Sequence, residues 1–318
     1  MKSGPPIVTV TLNPAIDQTL HIPGFAAGRV NRVTASHSHA GGKGINVACV
    51  LADLGHPVTA TGFLGRKNVD VFEAAFERKG IGDGCIRIEG ETRTGIKIVD
   101  PLIGETTDVN FPGLLPTQDE MDALLRRIDD LAAPGAWFVL SGSVPAGLPD
   151  DVYAGLIATL RGKECPAVLD TSGPPLRAAL APVIQPDVIK PNVEELSALL
   201  GRPLDHPAAV RDAAASLVAS GMKCVVVSMG GEGAVFVDRE RALLARPPLV
   251  EVRSTVGAGD AMVAGIVSAL IQNLPLDEVA RTATACGAYA VTEIGAGFAD
   301  PAAYRNLLGR VEIEPLEH

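Results

Sequence analysis

A chain of 318 residues, 47% of them hydrophobic, can bury the core of one large α/β domain. Its 27 basic and 37 acidic residues give a net charge of -10 with no lysine or arginine run, which argues against nucleic acid or an anionic membrane as partner. The most apolar run, residues 261–271, is too short to span a bilayer, and residues 1–7 lack a signal-peptide core, so a cytoplasmic protein is expected.

Residues 7–12 are β-branched and bounded by prolines, as expected of a buried first strand. Asn13-Pro14-Ala15-Ile16-Asp17 then leaves it. At such an exit Asp17 either accepts hydrogen bonds from substrate hydroxyls or closes an Asx turn. Residues 18–40 lack helical periodicity and alternate small, polar and β-branched side chains, predicting strands outside the main sheet. The pattern returns at 92–112, and the two segments together predict a small β-sheet lid that covers a site and excludes water. His37 and His39 alternate along such a strand without Cys or carboxylate neighbours, so a strand face explains them better than a metal site.

Between the lid segments, Ala40-Gly41-Gly42-Lys43-Gly44-Ile45-Asn46-Val47 opens a helix that runs to Gly55. A glycine-rich turn at a helix start offers unpaired N–H groups and a positive macrodipole to an anion. Lys43 adds a point charge and Asn46 faces the same mouth. A P-loop would follow its lysine with a hydroxyl residue, whereas Gly44 follows Lys43.

Further short strands are predicted at 57–62, 136–141, 167–170, 187–190 and 224–229. Helical patterns near 69–79, 117–132, 150–161, 193–200, 207–220 and 276–292 separate most of them. This alternation predicts a doubly wound, mostly parallel sheet with ligands at its carboxyl edge, in one catalytic domain over residues 1–315. Polar groups follow several strands: Ser141-Gly142-Ser143, Lys190-Pro191-Asn192-Val193-Glu194-Glu195 and Ser228-Met229-Gly230-Gly231-Glu232-Gly233. Each alone reads as a cap or turn, but their convergence on one edge points to a crevice. The five cysteines are widely spaced and form no C-x-x-C, so buried thiols are expected. Leu316-Glu317-His318 resembles a tag remnant.

Late in the chain, Ser254-Thr255-Val256-Gly257-Ala258-Gly259-Asp260 leads into a run of small and apolar residues ending near Ile271, a buried helix entered through a second glycine-rich turn. Asp260 is here either an N-cap or a carboxylate inside an anion-binding field. Two anion holes, a lysine and a carboxylate suit phosphoryl transfer, with Asp260 accepting the acceptor hydroxyl's proton and Lys43 holding a charged group on the substrate. A helix start favours the ionised form, which predicts a depressed pKa for Asp260. A dinucleotide-dependent dehydrogenase fits less well, because Met262 occupies the third glycine position of G-x-G-x-x-G and the segment does not follow the first strand.

The segments Gly41-Gly42-Lys43-Gly44-Ile45-Asn46-Val47-Ala48 and Ser254-Thr255-Val256-Gly257-Ala258-Gly259-Asp260 resemble the two signature regions of the ribokinase/PfkB sugar-kinase family, and the likeness runs from Thr9 to the helix around Ala290. The resemblance implies the ribokinase-like fold, with Asp260 as catalytic base, Gly257, Ala258 and Gly259 as anion hole, and Asp17, Gly42 and Asn46 as sugar contacts. It places Lys190, Asn192, Ser228, Gly230, Gly231, Gly233, Thr255, Gly257 and Gly259 around ATP. Asn192 and Glu195 match an N-x-x-E motif tied to Mg2+, Glu195 acting indirectly.

Within the family the chain looks like the sugar-phosphate kinases. Lys43 is shared by the branches acting on fructose 1-phosphate and tagatose 6-phosphate, where the fructose 6-phosphate branch has glycine, and Thr92-Arg93-Thr94 matches the lid arginine of all three. The implied reaction moves the ATP γ-phosphoryl group to the C6 hydroxyl of fructose 1-phosphate, with Lys43 and Arg93 on the 1-phosphate, Ser143 beside the sugar and Arg29 nearby. Tagatose 6-phosphate and fructose 6-phosphate are the alternative substrates, and a non-catalytic sugar-phosphate sensor is disfavoured by Asp260 together with both anion loops. Gly95 departs from the asparagine frequent in the fructose 1-phosphate branch, leaving the sugar contact of that lid position open. A homodimer through the lid sheets is also expected.

Overall fold

The computed structural model describes residues 4–181, 185–293, 295 and 297–317. The N-terminal half contributes β1 (Ile7–Thr11), β2 (Ala15–His21), β3 (Ala35–Gly41), α1 (Lys43–Asp53), β4 (Val58–Gly65), α2 (Asp70–Lys79), β5 (Gly82–Asp83), β6 (Ile86–Ile88), β7 (Thr94–Asp100), β8 (Glu105–Asn110), α3 (Gln118–Leu131) and β9 (Trp137–Ser141). There follow α4 (Val152–Gly162), β10 (Ala167–Asp170), α5 (Gly173–Leu180), β11 (Val188–Ile189), α6 (Val193–Leu200), α7 (Pro207–Ala219), β12 (Cys224–Ser228), β13 (Ala234–Asp238) and β14 (Ala242–Arg246). The chain closes with α8 (Ala258–Leu270), α9 (Leu276–Ala290), α10 (Pro301–Leu308) and β15 (Glu312–Pro315).

All five residues of β1 are buried, as a strand covered on both faces must be. It pairs in parallel with β4 on one side and β9 on the other. The main sheet runs in the order β15-β14-β13-β12-β11-β10-β9-β1-β4-β5, parallel from β12 to β5 and antiparallel from β12 to β15. Alternating side chains feed two cores. Ile7 packs with Ile45, Leu51, Val263 and Ile266 of α1 and α8, while Val8 and Val10 pack on the other face with Leu124, Tyr153, Leu156 and Leu196. The helices α8 and α9 pack so closely that a Cβ on Gly265 would lie 2.7 Å from Ala283 Cα. The five cysteines are free thiols, four of them buried.

The second sheet, β3-β2-β7-β8, is the expected lid. It differs from the sequence reading at its edges. The strand β2 starts at Ala15, so Asp17 lies inside the lid and not on the turn before it. Residues 22–34 form no strand, because Pro23, Gly24 at φ 69 and Gly28 at φ 75 interrupt the extended chain.

Two helices and a C-terminal antiparallel extension are additions to the predicted set. Both α5 and α10 carry proline in their first turn, where its missing N–H costs nothing. Beyond β15, the Leu316 N–H donates to Ala242 O at 2.9 Å and its side chain packs against the second core. Residues 1–3 at the N-terminus, where no signal-peptide core is expected, and His318 of the tag-like end lie outside the described residues.

Candidate active site

Because β1, β9, β10, β11 and β12 are adjacent and parallel, their carboxyl ends open on one edge. Asn13, Ser143, Asp170, Lys190 and Ser228 therefore come to the same rim. Two helices start there as well. Gly42, at φ 104, caps α1, and a Cβ on it would lie 2.9 Å from Pro14 Cα, so no larger residue fits against the exit of β1. Gly257, in the left-handed region at φ 81, precedes α8.

Asp260 is the third residue of α8 and makes no cap; that place belongs to Gly257. Its buried carboxylate instead accepts a hydrogen bond from Asn46 Nδ2 at 2.8 Å, joining the starts of α8 and α1. The first bond of the helical ladder runs from Ala261 N–H to Gly257 O at 2.8 Å, so the N–H groups of Gly259 and Asp260 lie ahead of it, available to an anion. The depressed pKa expected from the helix start is not what the site produces. Burial pushes Asp260 up from 3.8 to about 6; Asp170 adds to the rise, while Lys43, the Asn46 bond and Lys190 oppose it.

Lys43 occupies the first turn of α1 and reaches Asp170 Oδ2 at 3.1 Å. Lys190, itself buried, lies 3.4 Å from Asp170 Oδ1. Burial opposes ionisation of Asp170, but Lys190 and Lys43 outweigh it and hold its pKa below the ordinary carboxylate value. Burial likewise works against the Lys43 ammonium, yet Asp170 and Asp260 raise its pKa above the usual lysine value. Lys43 keeps 40% of its side chain exposed and so stays open to a ligand, whereas Asp170 is wholly enclosed. A Cβ on Gly259 would meet Lys190 Nζ at 3.5 Å, which brings the second lysine beside the glycine turn.

On the lid side, Asp17 lies between Lys97, at 3.1 Å from Oδ1, and His39, at 3.9 Å from Oδ2. Arg93 donates from Nε to Pro14 O at 3.3 Å; burial holds its pKa below the usual arginine value against the pull of Asp17. Ser143 is exposed and accepts from Asn13 Nδ2 at 3.0 Å. Its loop is pinned by Gly142, whose carbonyl accepts from Tyr153 Oη at 3.0 Å and Thr171 Oγ1 at 2.9 Å. Arg29 stands apart, exposed in the loop after β2, where its carbonyl accepts from Asn31 Nδ2.

The opposite rim is built from turns. Asn192 and Glu195 form a capping box at the start of α6, Asn192 Oδ1 accepting from Glu195 N at 2.7 Å and Glu195 Oε2 from Asn192 N at 2.9 Å. Gly230–Glu232 makes one 3-10 turn between β12 and β13, exposing Gly230 and Gly231. Gly233, at φ 103, is fixed by contact, since a Cβ there would collide with Ala245 O. Thr255 is exposed on the turn before Gly257. Among the described residues no group of three or more His, Cys, Asp or Glu side chains is placed to hold a metal ion.

Asp170 and Lys97 join the site without having been singled out from the sequence, and Asn13 and His39, noted there only as part of a strand exit and as a strand face, join it as well. Asp170 closes a predicted strand, so the rule that reads polar groups at strand exits could have found it. Lys97 and His39 carry no such signal, because their place depends on the pairing of three lid strands.

The pfkB family carbohydrate kinase model matches residues 10–303. A 1-phosphofructokinase of Rhodobacter capsulatus is 48% identical over 311 residues, 98% of each chain. One of Xanthomonas campestris pv. campestris is 50% identical over 281 residues, 87% of this chain and 88% of its own. Among solved structures, the phosphofructokinase-2 from Escherichia coli in complex with fructose-6-phosphate aligns with a TM-score of 0.89 at 32% identity, covering 97% of this chain and 99% of that one.

Proposed function

This chain belongs to the pfkB family of carbohydrate kinases, and we propose that it transfers the γ-phosphoryl group of ATP to the C6 hydroxyl of fructose 1-phosphate, giving fructose 1,6-bisphosphate. The observation that carries this reading is the Asn46–Asp260 bond, which sets a buried carboxylate between two helix starts with Lys43 and Lys190 alongside. Asp260 takes the proton of the C6 hydroxyl as that oxygen bonds to the γ-phosphorus and the bond to the bridging oxygen of ADP breaks. A carboxylate whose pKa is raised to about 6 is a stronger base than an ordinary one and still mostly ionised at neutral pH. The N–H groups of Gly259 and Asp260, with Gly257 and Ala258 shaping the turn, meet the charge on the transferring oxygens, and Lys190 supplements them.

Asp17, Gly42 and Asn46 orient the sugar, with Ser143 beside it. Lys43 and Arg93 hold the 1-phosphate, and Arg29 joins them as the lid closes. The nucleotide lies along the rim formed by Asn192, Ser228, Gly230, Gly231, Gly233 and Thr255. Mg2+, when bound, neutralises charge between the ATP phosphates. The residues fit a metal carried by the nucleotide more than a protein-held one, since Glu195 commits one carboxylate oxygen to the cap and has the other for a metal-bound water. We take residues 1–315 as one kinase domain with its lid, working in the cytoplasm and pairing through lid sheets into a homodimer. No helix of the described residues is long and apolar enough to cross a membrane.

Coupled ADP-release kinetics with fructose 1-phosphate, tagatose 6-phosphate, fructose 6-phosphate and unphosphorylated sugars test the assignment. The highest kcat/KM is expected with fructose 1-phosphate; a higher value for either 6-phosphate overturns it.

A further inference from the structure

Asp17 sits in a slot made by its neighbours' lack of side chains. On β3, a Cβ at Gly41 would collide with its Oδ2, and on β7 a Cβ at Gly95 would lie 3.0 Å from its Oδ1. The glycine that stands where the fructose 1-phosphate branch often has asparagine is thus one wall of this slot. Into it reaches Lys97, two residues beyond Gly95 on the same face of β7. Its ammonium lies 3.1 Å from Oδ1, with 14% of the lysine side chain and 10% of the aspartate exposed. His39 approaches the other oxygen no closer than 3.9 Å, and burial, reinforced by Lys97 and opposed by Asp17, holds its pKa below the ordinary histidine value. The lysine is therefore the charge committed to Asp17.

We infer that Lys97 is a positioning residue for sugar recognition. It holds Asp17 Oδ1 so that Oδ2 faces the substrate hydroxyls, and it remains on Asp17 when the phosphate of the substrate binds, since taking its partner away would leave a mostly buried carboxylate uncompensated. The segment that enters β7 then aligns both recognition elements: Arg93, just before the strand, directly, and Asp17 through Lys97. The inference rests on the reading of Asp17 as a sugar contact.

Steady-state kinetics of Lys97→Met, Asp17→Asn, the double variant and Lys97→Arg test it, with thermal melting of each alongside. Lys97→Met is expected to raise KM for fructose 1-phosphate about tenfold while moving KM for ATP less than about twofold, and Lys97→Arg to recover most of the loss. In the Asp17→Asn background the same lysine change is expected to shift KM by less than about twofold, since the residue it positions has lost its charge. An equal effect in both backgrounds, or none in the wild type, overturns the role of Lys97. An Asp17→Asn variant with unchanged KM overturns the sugar-contact reading first, and the inference with it.

Discussion

Asp260→Asn keeps the shape of the side chain and an oxygen for Asn46 while removing the charge. The folded carboxyl titrates near 6 against an ordinary 3.8, chiefly because it is buried. A pKa raised by folding means that protonation favours the native state: the contribution is complete below about 4 and lost as pH rises through about 6. At pH 7.5 the ionised group therefore destabilises the fold by about 3 kcal/mol, from roughly 1.4 kcal/mol per pKa unit. With an unfolding entropy of about 2.1 cal/mol/K per residue, a chain of this length gains ~4 °C in melting temperature, the attraction to Lys43 being already contained in the net shift. Turnover is expected to drop by at least ~10²-fold, the scale of a missing general base. Differential scanning fluorimetry of both proteins at pH 7.5 and pH 4, beside single-turnover ADP formation, reads both effects. The variant should melt higher at pH 7.5, and the gap should close at pH 4, where the wild-type carboxyl is already protonated. Turnover within a few-fold of wild type, or a variant melting lower at both pH values, refutes the reasoning.

The same base predicts that kcat/KM for fructose 1-phosphate falls about tenfold per pH unit below roughly pH 6 as Asp260 takes up its proton; a flat profile down to pH 5 contradicts it. Asp170→Asn leaves Lys43 and Lys190 facing each other without their shared counter-charge, so chemical denaturation should show a loss of up to about 3 kcal/mol, moderated because Lys43 reaches solvent. Lys43→Met should raise KM for fructose 1-phosphate at least ~10-fold and leave unphosphorylated fructose no worse a substrate; an equal loss for both would show a general structural defect. Gly233→Ala should lower the melting temperature by several degrees, since it combines a left-handed φ, worth about 1 to 3 kcal/mol, with a clash against Ala245 O.

Much of the site was legible because glycine-rich turns before apolar runs have a backbone reason for being where they are. Residues 41–46 and 257–260 announced helix starts and helix starts bind anions. The direction of the Asp260 pKa shift was misread for a related reason: a helix start is visible in sequence, but the burial that outweighs it is a property of α1 packing over α8. Asp17 was recognisable as a polar residue after a strand, though its place inside the lid was not, since the strand pattern was legible only from residue 18 while β2 starts at Ala15. The helices α5 and α10 escaped notice because Pro174, Pro175 and Pro301 look like breaks until they are seen in first turns. The antiparallel strands β13 to β15 are short, and the last of them pairs with β14 only by returning from far along the chain.

The Asn46–Asp260 bond spans 214 residues of sequence. During synthesis the lid sheet and α1 emerge long before α8 does. Until then the Asn46 amide awaits its partner. Val263 and Ile266 close over Ile7 and Ile45 in the same movement that brings Asp260 to Asn46, so one face of the core and the buried carboxylate pair are completed together.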